Sequence, residues 1–260
     1  GIEGLAQKVV DLGIKFGLWF EPEMVNKDSD LYRAHPDWIL ATPNRGSCHG
    51  RNQYVLDFSR SEVVDYIFDL MDKVLEKTPI SYIKWDMNRN ITECFSATAK
   101  AEDQGKVMHK YILGVYDLYN RLTSKYPEIL FESCASGGAR FDPGMLFYAP
   151  QTWTSDDTDA IERLKIQYGT SMVYPICSMG SHVSAIPNHQ TFRQVPLSTR
   201  ANVAYFGTFG YELDLNKLTD VEKEQVAEQI EFFKEHRETM MHGTFYRLLS
   251  PFENDITSWM

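Results

Sequence analysis

Residues 79–89 read Pro79-Ile80-Ser81-Tyr82-Ile83-Lys84-Trp85-Asp86-Met87-Asn88-Arg89. The run is apolar at its start and takes on charge only at its end. That is the pattern of a strand buried on both faces of a parallel sheet. Side chains alternate along a strand, so Lys84, Asp86 and Asn88 are expected on one face if the chain stays extended. A lysine beside a carboxylate favours the ionised form, and an ionised carboxylate can be a nucleophile. An ordinary ion pair at a strand end would look the same in this stretch alone.

Working outward, an amphipathic helix is expected over 2–12, then a strand from Lys15 to Phe20 that delivers Trp19, Glu21 and Glu23. Residues 28–53 read as a long loop carrying Arg45, His49 and Arg51, followed by the apolar run Tyr54 to Phe58. Ser59 is expected to cap a helix over 60–77, with Val63, Val64, Ile67, Phe68, Met71 and Val74 on its apolar face. Another helix is expected over 102–125, closed by Tyr126-Pro127. A strand at 129–131 ends in Glu132-Ser133-Cys134-Ala135-Ser136-Gly137-Gly138, small residues that let a ligand approach the backbone. Thr152-Trp153-Thr154 reads as a strand that ends in Ser155-Asp156-Asp157-Thr158-Asp159, with a helix over 157–170. The last strands are expected at 182–185 and 203–206, and the last long helix over 219–240.

Strands alternating with helices and ending in polar clusters predict a parallel α/β fold with its ligand at the carboxyl ends of the strands. Six strands are two short of a (β/α)8 TIM-type barrel, so a barrel would be incomplete here, about strands 3–8. A doubly wound sheet is the alternative, but neither the dinucleotide nor the Walker glycine spacing is present. Residues 1–240 are assigned to the barrel and 241–260 to the beginning of a C-terminal β-sheet domain. Both ends read as interior to a longer protein: the first helix lacks a capping residue, and Trp259-Met260 lies within a strand pattern.

The formal charge of −10 argues against nucleic acid or an anionic membrane as partner. Cys48, Cys94, Cys134 and Cys177 form no C-x-x-C pair, which points to reduced thiols and a cytoplasmic protein rather than a disulfide framework or zinc site. No H-E-x-x-H, nucleophile elbow or calcium-loop spacing occurs, so no metal and no cofactor is expected.

Carboxylates dominate the strand ends. Paired carboxylates with aromatics at a barrel mouth suit glycoside hydrolysis, in which one attacks the anomeric carbon and the other protonates the leaving oxygen. Asp156 is a candidate acid, because Asp157 and Asp159 beside it disfavour its charged form. The same cluster also suits a helix N-terminus, with Asp157 or Thr158 as the cap.

The stretches GLWFEPEMV (17–25), HPDW (35–38), GRNQYVLDFS (50–59), YIKWDMNR (82–89), ESCASGGARFD (132–142), QTWTSDDTDAIERLKIQYGTSMVYP (151–175) and SHVSAIPNHQT (181–191) resemble, in this order, the α-galactosidases of glycoside hydrolase family 36. The resemblance implies a retaining exo-acting hydrolase that releases terminal α-galactose from an oligosaccharide such as melibiose or raffinose. Asp86 matches the family nucleophile and Asp156 the acid/base. Trp19, Arg51, Lys84, Asn88, Cys134, Gly137 and Trp153 match positions lining the galactose pocket. Lys84 would contact a sugar hydroxyl and keep Asp86 ionised, and Trp19 and Trp153 would offer apolar faces to the ring. Glu21, Glu23 and Glu132 would take supporting roles. The family's N-terminal β-domain, first barrel strands, upstream aspartate pair and C-terminal β-domain are not matched here. The expectation is therefore an active parent, a homo-oligomer at full length, and a weak or inactive isolated piece. An α-galactosyl transglycosylase of the raffinose- or stachyose-synthase type would use the same two aspartates, and an inactive galactoside-binding remnant would keep them by descent.

Overall fold

The computed structural model describes residues 1–260, and their contacts divide them into two compact units. The first comprises Gly1–Ser136 and Asp142–Pro150. Helix α1 (Ile2–Asp11) leads into β1 (Phe16–Phe20), and β2 (Met24–Asn26) follows. The expected long loop contains a short helix, α2 (Asp30–Ala34), capped by Ser29, and ends at β3 (Gln53–Val55), which pairs antiparallel with β2. Helix α3 (Ser61–Lys77) buries Val63, Val64, Ile67, Met71 and Leu75, one stripe at helical spacing. It stops at Thr78 because the following Pro79 disfavours helical backbone there. Ser59 does not cap it: its hydroxyl donates to Asp57, and Arg60 holds the cap position.

Strand β4 (Ile80–Trp85) lies between β1 and β5 (Leu130–Ser133), parallel to both. Helix α4 (Val107–Lys125) packs against α3 and the segment before it: a Cβ on Gly114 would lie 3.2 Å from Val64 Cγ2 and 2.0 Å from the Phe58 carbonyl oxygen. Helix α5 (Pro143–Tyr148) starts on an Asp142 cap that accepts from the Met145 amide. Trp85 is fully buried in this core, stacked on Tyr119 at 3.9 Å, and it donates its indole N–H to Glu23.

The second unit comprises Gly137–Phe141 and Gln151–Met260. It holds three more parallel strands: β6 (Gln151–Trp153), β7 (Met179–Ser184) and β8 (Thr208–Glu212), with α6 (Ala160–Thr170) and α7 (Leu197–Ala204) between them. Its core joins Val183, Leu197, Ala201, Ala204 and Tyr205 to Val226 of α8 (Asp220–His242). A Thr219–Glu222 capping box starts α8, and an antiparallel pair, β9 (Arg247–Leu249) with β10 (Ser258–Trp259), ends the chain. The six parallel strands, three in each unit, make the α/β fold of an incomplete (β/α)8 barrel.

Two elements differ from the sequence reading. Residues 203–206 close helix α7 and its cap rather than forming a strand, and the sixth strand is 208–212. A short apolar run suits a buried helix face as well as a buried strand. Helix α6 begins at Ala160, not 157, with Asp159 as its cap.

Candidate active site

The register of β1, β4 and β5 aligns Trp19 with Lys84 and Lys84 with Glu132, so three strands deliver these side chains in one row at their carboxyl ends. Lys84 pairs with Glu132 at 3.2 Å, and Tyr82 donates its hydroxyl to the same carboxylate. One step further, the Asp86 amide donates to Phe20 and the Met87 amide to Cys134, extending the row beyond the strands.

Asp86 is 7% exposed. Its Oδ2 accepts the Trp19 indole N–H at 3.1 Å and the Asn88 amide at 2.8 Å; its Oδ1 accepts the Met87 amide at 2.9 Å. Burial pushes its pKa up, but hydrogen bonds from Asn88, Cys134, Trp19 and Met87 outweigh burial and hold it below the usual carboxylate range. Lys84, expected to favour this ionisation, stands in the same row of strand ends, paired with Glu132.

Glu21 stands behind them. It accepts from the Asn88 amide at 2.8 Å and from Gln53 at 2.6 Å, and pairs with Arg51 at 3.5 Å. The Asn88 amide is thus shared between Asp86 and Glu21, and the Ser136 hydroxyl donates to its other end. Arg51 and Asn52 form a tight turn with φ of 55° and 60°, closed by the Gln53 amide on the Gly50 carbonyl. Such backbone is strained for arginine and fixes where its side chain starts.

In the second unit, Asp156 lies exposed in the loop between β6 and α6, and its Oδ1 accepts the Trp153 indole N–H at 3.2 Å. Trp153 is 3% exposed. His182 stacks on its ring at 4.7 Å, and the Arg163 guanidinium lies 4.1 Å from its centre. The ring expected to offer an apolar face to the sugar thus carries these two neighbours, and its indole N–H reaches Asp156. Gly137, with φ of 83°, comes so close to the loop that a Cβ there would sit 2.6 Å from Ser155 Cα. Asp157 and Asp159, expected to press charge on Asp156, are engaged elsewhere. Asp157 accepts from the Asp159 amide. Asp159 accepts from Ile161 and Thr191 and pairs with Arg193 at 2.7 Å. Burial raises the Asp159 pKa, but the Thr191, Ile161 and Arg193 bonds win and lower it.

The first unit thus brings Trp19, Asn88 and Cys134 to Asp86, links Arg51 to it through Glu21 and Asn88, and sets Lys84 in the same row against Glu132; the second brings Gly137 and Trp153 to Asp156. Gln53, Ser136 and Arg163 were given no site role by sequence reasoning, and His182 was read only as a polar residue at a strand end. For Arg163 a signal existed: it falls on the face of α6 that also buries Ala160 and Gln167.

Carboxylates held by indole and amide donors at the carboxyl ends of parallel strands are the arrangement expected of a barrel protein of the glycoside hydrolase class. The melibiase family profile matches residues 1–243, and the chain belongs to that family, glycoside hydrolase family 36. It is 57% identical over its full length to Alpha-galactosidase AgaA of Geobacillus stearothermophilus and 51% identical to Alpha-galactosidase Mel36A of Lactobacillus acidophilus. It spans 36% and 35% of those two proteins. The crystal structure of AgaA superposes on the whole chain, and on 36% of its own, with a TM-score of 0.98; a doubly substituted AgaA in complex with raffinose gives the same values.

Proposed function

We propose that the protein carrying this chain is a retaining α-galactosidase acting on raffinose-type galactosides. Asp86 Oδ attacks the anomeric carbon as the glycosidic C–O bond breaks, and Asp156 gives its proton to the departing oxygen. Water then attacks the galactosyl–Asp86 ester; Asp156 takes the water proton, and galactose leaves with its configuration retained. The observation that carries this reading is Asp86 itself: a buried carboxylate kept ionised by four converging donors is an activated nucleophile. The family relationship to proteins named as α-galactosidases supports the substrate class. All four cysteines are free thiols, which supports a cytoplasmic location.

Azide rescue in the full-length protein tests the roles, because azide attacks without general-base help. With an activated aryl α-galactoside, Asp86→Ala plus azide should yield the β-galactosyl azide, and Asp156→Ala plus azide the α-anomer. Near-normal turnover by both variants would refute the assignment and move the search to Glu21, Glu23 and Glu132.

A further inference from the structure

Asp156 sits on a loop of six residues, Thr154 to Asp159, between β6 and α6. Its side chain is exposed, yet the backbone before it is tightly built. On one side is glycine: a Cβ on Gly138 would lie 2.7 Å from the Thr154 carbonyl oxygen, and one on Gly137 would lie 3.0 Å from the Asp156 amide nitrogen. The other support is Arg163, one turn into α6 and only 3% exposed. Its guanidinium donates to Thr154 Oγ1 at 2.6 Å and to the Ser155 carbonyl at 2.8 Å, and covers the Trp153 ring at 4.1 Å. Trp153 in turn donates to Asp156 at 3.2 Å. One planar side chain therefore fixes each of the three residues that precede Asp156.

We propose that Arg163 is a positioning residue for Asp156, setting where the carboxyl group meets the glycosidic oxygen. The inference rests on the acid/base assignment made above. Burying a guanidinium is costly, and a planar fork that stacks on a ring while donating twice is geometry that lysine does not reproduce. A lysine in its place keeps the charge but loses the coordinated hold on Trp153, Thr154 and Ser155.

The test uses leaving-group chemistry. A galactoside with an alkyl leaving group needs protonation of its oxygen, whereas 2,4-dinitrophenol leaves without it. Arg163→Lys, Thr154→Val and Asp156→Ala are compared in the full-length enzyme, with kcat/KM measured on both substrates and thermal melts recorded. Arg163→Lys is expected to lower kcat/KM on the alkyl galactoside by about 10- to 100-fold, as a displaced catalytic group does, and on the dinitrophenyl substrate by less than about threefold. Thr154→Val removes one acceptor of the fork at similar shape and should show the same split at smaller size; it decides the matter if Arg163→Lys does not fold. Equal losses on both substrates, or no loss on the alkyl one, would overturn the proposal. If Asp156→Ala shows the split and the Arg163 and Thr154 variants do not, the positioning role alone fails. If Asp156→Ala itself shows no split, the acid/base assignment fails and the positioning role with it.

Discussion

Replacing Trp19 by phenylalanine isolates one donor to Asp86. The ring stays; the indole N–H at 3.1 Å from Oδ2 goes. Hydrogen bonds to charged groups contribute about 1.5–3 kcal/mol, and Oδ2 keeps the Asn88 amide, so the loss should fall near the lower end. At about 1.4 kcal/mol per unit, the Asp86 pKa should rise by about one unit. The sign follows from the chemistry: the donor favours the carboxylate, its removal favours the acid, and the proposed nucleophile works only when ionised. The acidic limb of kcat/KM against pH, which reports the free enzyme, should therefore move to higher pH by about one unit. The assay is that profile, taken on an activated aryl α-galactoside with full-length wild type and Trp19→Phe. The limb position is read independently of the plateau, so any loss of sugar contact does not confuse it. A limb that stays in place or moves down would refute the claim that the indole holds Asp86 ionised.

Gly137→Ala puts a methyl 2.6 Å from Ser155 Cα at a φ of 83°, so it should destabilise by about 2–4 kcal/mol and lower kcat/KM at least about tenfold, measured by urea unfolding and steady-state kinetics. Trp85→Phe removes the indole donor to buried Glu23 and part of the stack on Tyr119; the expected loss is about 2–4 kcal/mol in urea, and a loss below about 1 kcal/mol would contradict the packing argument. Arg193→Met removes a donor that lowers the Asp159 pKa. Asp159 contributes stability that is present above its unfolded pKa, near 4, and is lost as pH falls through its lowered folded value. The variant should lose about 1–2 kcal/mol at pH 7 and show a shallower fall in urea midpoint between pH 5 and 3 than wild type.

The strand ends were legible because their signal is local: an apolar run that turns polar at its end announces both a buried strand and a site. Asp86 and Asp156 each follow such a run. What surrounds them was less legible, because it is assembled from distant residues. Asp86 is held by Trp19, Asn88 and Cys134, drawn from three strand ends that only the β1–β4–β5 register makes neighbours. Lys84, two residues before Asp86, was legible as a site cation, but its pairing with Glu132 comes from the neighbouring strand and was not. The Trp153 ring was expected to face a sugar from the family resemblance; its neighbours Arg163 and His182 arrive from the next helix and the next strand and were not legible in its own segment. The strand at 208–212 was missed for a different reason. Thr208-Phe209-Gly210-Tyr211-Glu212 is half polar, and the more apolar run just before it is the buried end of α7.

Each of the two aspartates receives an indole N–H, and that choice of donor matters. Indole nitrogen donates and does not accept, and it carries no charge and takes no proton. It can hold one carboxylate oxygen in place without exchanging a proton with it. Lys84, in the same row of strand ends, pairs with Glu132. For Asp86, three further donors turn orientation into a commitment to the ionised state, which is what a nucleophile needs. For Asp156, the Trp153 contact falls on Oδ1, which leaves Oδ2 to carry the proton that the proposed mechanism passes out and back. A carboxyl group that must change its protonation state twice per turnover gains from a rigid loop and a neutral donor more than from a fixed counter-charge. The buried guanidinium of Arg163 meets that requirement: it grips the three preceding residues and leaves the Asp156 carboxyl to its indole donor.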